Sequence, residues 1–207
     1  DPKNPSIFAS LGRAELIFAD RLGFLANQSG QAKETVQALK QAQNTVYEQA
    51  IFAFSKALEL KPDFTDAHFL LAQAYIRQGN MAEAIRRVEA SKILSPFDIG
   101  IAFQLGFLYY QNGQFNNAES EFLRAVSLNP NYSNAHYFLG LIYSREKNKS
   151  RALEEFEKVR AFNPDNHEVL KILSNLRAGR PTLEGITSPV PETKDETAPK
   201  DKNDKKR

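Results

Sequence analysis

The chain has no cysteine in 207 residues, which excludes disulfides, thiolate metal sites and cysteine nucleophiles while leaving the compartment open. It has no apolar run near the ~18 residues that a membrane-crossing helix needs, and no charged-then-apolar leader. No direct membrane insertion is therefore expected of this segment. It also lacks an excess of charge of one sign: 27 basic residues face 25 acidic ones for a net +2, so nothing favours a nucleic-acid or anionic-membrane partner. A Gly-rich phosphate loop, a His-Glu-x-x-His pair and a Gly-flanked serine elbow are all missing. No enzyme activity, cofactor or metal is expected. The chain opens at Asp1, which reads as a processed or excised end.

What is present is a period. Pro62, Pro96, Pro130 and Pro164 recur at intervals of 34 residues. Small residues return twelve places before each proline (Ala50, Ala84, Ala118, Ala152), and large ones eight places before (Phe54, Val88, Phe122, Phe156). A fixed period with fixed small and large apolar slots predicts stacked helix-turn-helix units, none of which can bury its apolar face alone. Helix pairs are expected at 65–78 and 81–94, at 99–112 and 114–128, and at 133–145 and 149–162, followed by one amphipathic helix over 167–177.

Forward of the prolines, Leu71-Ala72…Tyr75, Leu105-Gly106…Tyr109 and Leu139-Gly140…Tyr143 repeat one signature. Together with the alanines, these motifs resemble the tetratricopeptide repeat, over roughly residues 2 to 164. The resemblance implies an all-α solenoid, a right-handed superhelix of helical hairpins. Its organisation is a domain at 1–179 with a first repeat at 3–61, repeats at 63–96, 97–130 and 131–164, and a capping helix at 166–178. Two slots depart from the family pattern. His68, Ala102 and His136 stand where a bulky aromatic is usual, and Lys147 replaces the turn glycine seen at Gly79 and Gly113. A looser last turn is expected, because a side chain tolerates positive φ poorly.

The first repeat is longer than the rest by 26 residues, the excess of the Pro2 to Pro62 interval over the period. Apolar spacing of three and four continues through Phe18, Leu22 and Leu25 and through Val36, Leu39, Val46 and Ala50, with Asn27-Gln28-Ser29-Gly30 the only turn signal between them. The spacing predicts an elongated helical hairpin, with an inserted extension at 20–45 that projects by roughly 20 Å. The projection is expected to be a second contact site or a dimerisation arm. Gly23, inside its first helix, marks a kink or a close helix contact. Residues 180–207, with four prolines and a lysine-rich end, are expected to be a disordered tail.

The histidines are few. His68 and His136 hold equivalent slots two repeats apart, too distant to share a metal, and are expected to pack or to be part-exposed. Glu154-Glu155 is assigned to a polar helix face. The triplets Asn27-Gln28-Ser29, Asn131-Tyr132-Ser133 and Asn148-Lys149-Ser150 match the glycosylation acceptor and are taken as coincidence.

What the resemblance implies about function is a surface. The first helix of each pair lines a groove, and its slots here are Asp66, Phe69, Gln73, Ile76 and Arg77, then Gly100, Phe103, Phe107, Tyr110 and Gln111, then Asn134, Tyr137, Leu141, Ser144 and Arg145. The partner-binding set expected from them is Phe69, Gln73, Arg77, Phe103, Phe107, Tyr110, Tyr137, Leu141 and Arg145. The Lys/Asn/Arg clamp of the chaperone-binding subclass is absent; Phe, Gln and Leu stand there. These side chains suit an apolar or amphipathic peptide, with Arg77 and Arg145 pairing acidic flanks. The expected function is a non-catalytic protein–protein interaction scaffold. The alternative is a soluble domain of a larger bacterial envelope or membrane protein, positioning a neighbouring functional domain. Location is left open between cytoplasmic and, for the alternative, extracytoplasmic.

Overall fold

The computed structural model describes residues 4–28 and 30–186. Residues 1–3, Ser29 and residues 187–207 lie outside the described set, and with them most of the expected tail and the serine of the Asn27 triplet. The described residues form helices and turns with no strand, in the order α1 (Pro5–Ala26), α2 (Lys33–Leu60), α3 (Thr65–Arg77), α4 (Met81–Leu94), α5 (Ile99–Gln111), α6 (Phe115–Leu128), α7 (Ser133–Arg145), α8 (Lys149–Phe162) and α9 (His167–Arg177). The fold is an all-α tetratricopeptide-type solenoid. Its chain divides into two compact units, one through Gln114 and one from Phe115. The division falls in the turn inside the 97–130 repeat, whereas the sequence suggested a single run.

Local chemistry sets the helix ends. Asn80, Asp98, Asn148 and Asn166 each accept a backbone N–H three residues on, at 3.0 to 3.2 Å, supplying a partner to an otherwise unmet N-terminal donor. Pro5 sits in the first turn of α1, where no N–H is needed.

In the first unit, Leu16, Ala19 and Leu22 of α1 pack with Val46, Tyr47, Ala50 and Phe54 of α2 and with Leu71 and Ala74 of α3. Beside them Ala72, Ala84, Ile85 and Val88 join Ile101, Leu105 and Leu108. Each fully buried Leu, Ile or Phe in such a core contributes roughly 1.5–3 kcal/mol. The first-repeat insertion forms helix. The 28 residues of α2 make a rod of about 42 Å; Val46 is its first buried residue, and ahead of it Leu39, partly buried, packs against the core. Gly23 marks a close contact, since a Cβ there would run into the amide of Gln43. That amide donates to Tyr47 Oη at 3.0 Å.

In the second unit, Phe122 stacks on Phe138 at 5.1 Å between ring centroids. Val169, Ile172, Leu173 and Leu176 of α9 are buried, as a capping helix requires. The order continues past α9. Asn175, fully buried, donates its amide to the carbonyls of Thr182 at 3.2 Å and Glu184 at 2.9 Å, and Ser144 and Thr182 hydrogen-bond through their hydroxyls. Residues 180–186 are thus a bonded strap rather than the start of a tail.

The last turn is no looser than the others. Lys147 adopts φ +60 beside φ +82 and +74 at Gly79 and Gly113. The residue that follows each bonds the repeat tyrosine carbonyl at 2.8 Å in all three: Asn80 to Tyr75, Gln114 to Tyr109 and Asn148 to Tyr143. The closing bonds override the local preference.

Candidate functional site

The expected slots differ in accessibility from one helix to the next. On α3, Phe69 is 44% exposed, Gln73 is half-buried and Arg77 is exposed. On α5, Phe103, Phe107 and Tyr110 are half-buried, and the rings of Phe103 and Phe107 stack at 6.3 Å. Between the two helices lies a cleft of about 210 Å³ lined by Asp66 and Phe69 of α3, Ser91 of α4, Asp98, and Gly100, Ile101 and Gln104 of α5, among others. Asp98, Ser91 and Gln104 were not foreseen as lining it, because only the packed α4–α5 turn brings them there. The Asp-Ile-Gly start of α5 was the available signal: the aspartate caps the helix at 3.0 Å, and Gly100 puts no side chain into the cleft.

On α7 the slots are closed. Tyr137 and Leu141 are 5% and 6% exposed. The Tyr137 hydroxyl donates to Glu168 of α9, and its ring meets those of Phe138 and Phe156 edge-on, each at 5.6 Å. Tyr137 is thus held by two aromatic rings of its own unit and by a residue of α9, whereas Phe69 keeps an open face. The two arginines expected to await a partner's acids are engaged within the chain. Arg77 Nε pairs with Asp20 of α1 at 3.2 Å, and the Arg145 guanidinium lies 4.1 Å from the Phe115 ring centroid. Asp20 also accepts from Tyr47 at 3.4 Å; burial, with Asp20 beside it, pushes the Tyr47 hydroxyl above its ordinary pKa.

His68 and His136 each meet the carbonyl of the repeat-closing proline. The Nε2 of His68 is 2.8 Å from Pro62 O, and the Nε2 of His136 is 2.8 Å from Pro130 O. Buried His136 also meets Glu155 Oε2 at 2.6 Å through Nδ1. Glu155 is therefore not on a polar face; its 8% exposure puts it in the interior. Burial pushes its carboxyl up, but the bonds from His136 and Lys158 reverse that and hold it below the usual carboxylate range. The pair's hydrogen bonds run to Pro130 and Lys158, both in its own unit. Among the described residues, no group of three or more His, Asp or Glu is arranged to hold a metal, and no helix is long and apolar enough to cross a membrane.

Two family models, both described as tetratricopeptide repeat, match residues 46–98 and 103–167, together more than half of the chain. Human tetratricopeptide repeat protein 6 is 28% identical over 117 residues, covering 56% of this chain and 22% of that protein. Human tetratricopeptide repeat protein 16 is 25% identical over 153 residues, covering 70% and 17%. Human protein O-mannosyl-transferase TMTC3 is 29% identical over 118 residues, covering 55% and 13%. The matched stretch is thus less than a quarter of each curated relative. Among solved structures, a crystal structure of MamA protein aligns at TM-score 0.64 and 20% identity, covering 86% of this chain and 84% of that one. YrrB, described as a TPR protein with an unusual peptide-binding site, aligns at TM-score 0.53 and 19% identity, covering 82% and 92%. At those identities the likeness is one of fold.

Proposed function

The chain belongs to the tetratricopeptide repeat family, and we propose that it is a non-catalytic protein-interaction scaffold that takes an apolar or amphipathic peptide segment along α3 and α5. The observation that carries this reading is the cleft beside Phe69, an aromatic wall 44% exposed above a floor that includes buried Ile101. An apolar side chain of a partner fits there, with Gln73 and Gln104 to hydrogen-bond its backbone and Phe103, Phe107 and Tyr110 completing the aromatic surface. Tyr137 and Leu141 are left out of the proposed surface, since both are buried. Arg77 and Arg145 are left out because they already serve Asp20 and Phe115.

The test is a peptide library panned on the immobilised chain, followed by calorimetric titration of an enriched peptide. Phe69→Ser should weaken binding at least tenfold and leave the melting temperature within a few degrees. Unchanged affinity in that variant would sink the reading. A second reading, a module within a longer protein that positions another domain, is supported by the small share of each curated relative that the match occupies. The projecting hairpin end, residues 20–45, is proposed as a further contact surface or self-association arm, with Phe24 60% exposed on it. Light scattering of a chain lacking those residues checks it: an unchanged mass together with unchanged partner binding would remove that role.

A further inference from the structure

A second cleft, built from different helices, lies between α1 and α2. It measures about 400 Å³ and is lined by Phe8, Leu11 and Glu15 on one side and by Thr45, Glu48 and Phe52, with their neighbours, on the other. Phe52 is 62% exposed and Leu11 48%. The apolar surface continues along α1 through Ile7, Leu11 and Phe18, all exposed. Their spacing of four and seven places them on one stripe, about 16 Å long at 1.5 Å per residue. A stripe of that length matches three turns of a docking helix rather than one inserted side chain.

The ionisable groups that line the cleft are of one sign. Both ionisable groups lining the cleft, Glu15 and Glu48, are acidic. Lys56 of α2 stands 5.7 Å from the Phe52 ring centroid and is held by Glu59 at 2.6 Å. Glu15 Oε2 is sealed from solvent and accepts no hydrogen bond. Such an oxygen lacks the donor that a buried carboxylate requires, and burial accordingly raises the Glu15 carboxyl above its ordinary pKa. A ligand that brings a guanidinium or ammonium would pair with the acidic groups Glu15 and Glu48 at the cleft, while its apolar face covers Phe52 and Leu11.

We propose that the α1–α2 cleft is a docking site for a basic amphipathic helix, with its apolar stripe on Leu11, Phe18 and Phe52 and an Arg or Lys on Glu15 and Glu48. The site is independent of the α3–α5 cleft, so either can fail alone.

The probe is a labelled, amidated 18-residue peptide with leucines on one helical face and arginines on the other. Its control carries glutamate in place of arginine. Both are titrated into the full chain at physiological salt and followed by fluorescence anisotropy. The arginine peptide should bind and the glutamate peptide should not. Glu15→Gln with Glu48→Gln should weaken binding at least tenfold, Phe52→Ser by a similar factor, and Phe69→Ser not at all. All three variants should melt within a few degrees of the parent. No binding, or equal binding by every variant, overturns the proposal. A chain that dimerises in light scattering and is made monomeric by Phe52→Ser also overturns it, because a second copy would then be the occupant.

Discussion

Helices α3 and α7 hold the same slots two repeats apart, yet one presents its inner face and the other buries it. Phe69 is 44% exposed where Tyr137 is 5% exposed. His68 bonds a proline carbonyl alone, with its Nδ1 unmatched, where His136 adds a buried carboxylate. The residue types at these two slots are alike; what covers them is not. A slot carried over from a repeat family states which way a side chain points along its helix. Whether anything lies above it depends on what packs there, and for Tyr137 that is the rings of Phe138 and Phe156 with Glu168 of α9.

The sharpest way to break this comparison is to truncate both aromatics. Tyr137→Ala should cost about 3–5 kcal/mol, as for a fully packed aromatic, and Phe69→Ala less than about 1 kcal/mol. Urea titration of the two variants decides it, and equal losses would show that the two faces are covered alike.

The helix crossings give a second contrast. A Cβ built on Gly140 would lie 2.7 Å from the Phe156 ring, and one on Gly12 equally close to Phe54, whereas Ala72 shares a cluster with the smaller Val88. Gly140→Ala should therefore destabilise by about 2 kcal/mol through overpacking. Adding Phe156→Val should reduce the effect of the alanine, which a double-mutant cycle would read as a coupling of about 1 kcal/mol. Strict additivity would place the clash elsewhere.

The histidines come next. Glu155→Ala leaves buried His136 without its carboxylate and should cost about 1–2 kcal/mol, while His68→Ala should be close to neutral. The folded carboxyl of Glu155 titrates below its unfolded value of about 4.3. Its contribution is therefore fully present above that pH and lost as pH falls through the lower folded value. Acid denaturation of Glu155→Gln, followed by circular dichroism, should show a shallower loss across that window; an unchanged acid limb would mean that the pair is not coupled to folding.

The smallest effect concerns the turns. Lys147 holds the positive φ that Gly79 and Gly113 hold, so Lys147→Gly should stabilise by about 0.5–1 kcal/mol. A fall in thermal midpoint would show that the lysine side chain contributes more there than its backbone costs.

The helices were legible in the sequence almost to the residue because each carries its own signals. The prolines stop the second helices, Asn or Asp caps start α4, α5, α8 and α9, and apolar spacing of three and four fills the interior. The insertion was legible for the same reason, since the spacing runs through Leu22 and Val46 without a break other than the Asn27–Gly30 turn. The site was legible only in part. Phe69 was placed on an accessible stripe from its slot, but Asp98 and Gln104 join it by packing of the α4–α5 turn, and nothing local in Arg77 announces Asp20 on a helix two elements earlier.

By itself the sequence determined the period, the helical hairpins and the small-against-large slots, because all of these follow from local propensity and spacing within one or two repeats. Only the tertiary structure decided which slots are covered. It sealed Tyr137 beneath Glu168, drew residues 180–186 onto Asn175, and held Lys147 in a turn that its residue type disfavours. Burial of a given slot is a property of what packs upon it, set by distant contacts whose summed energy exceeds any single residue's preference.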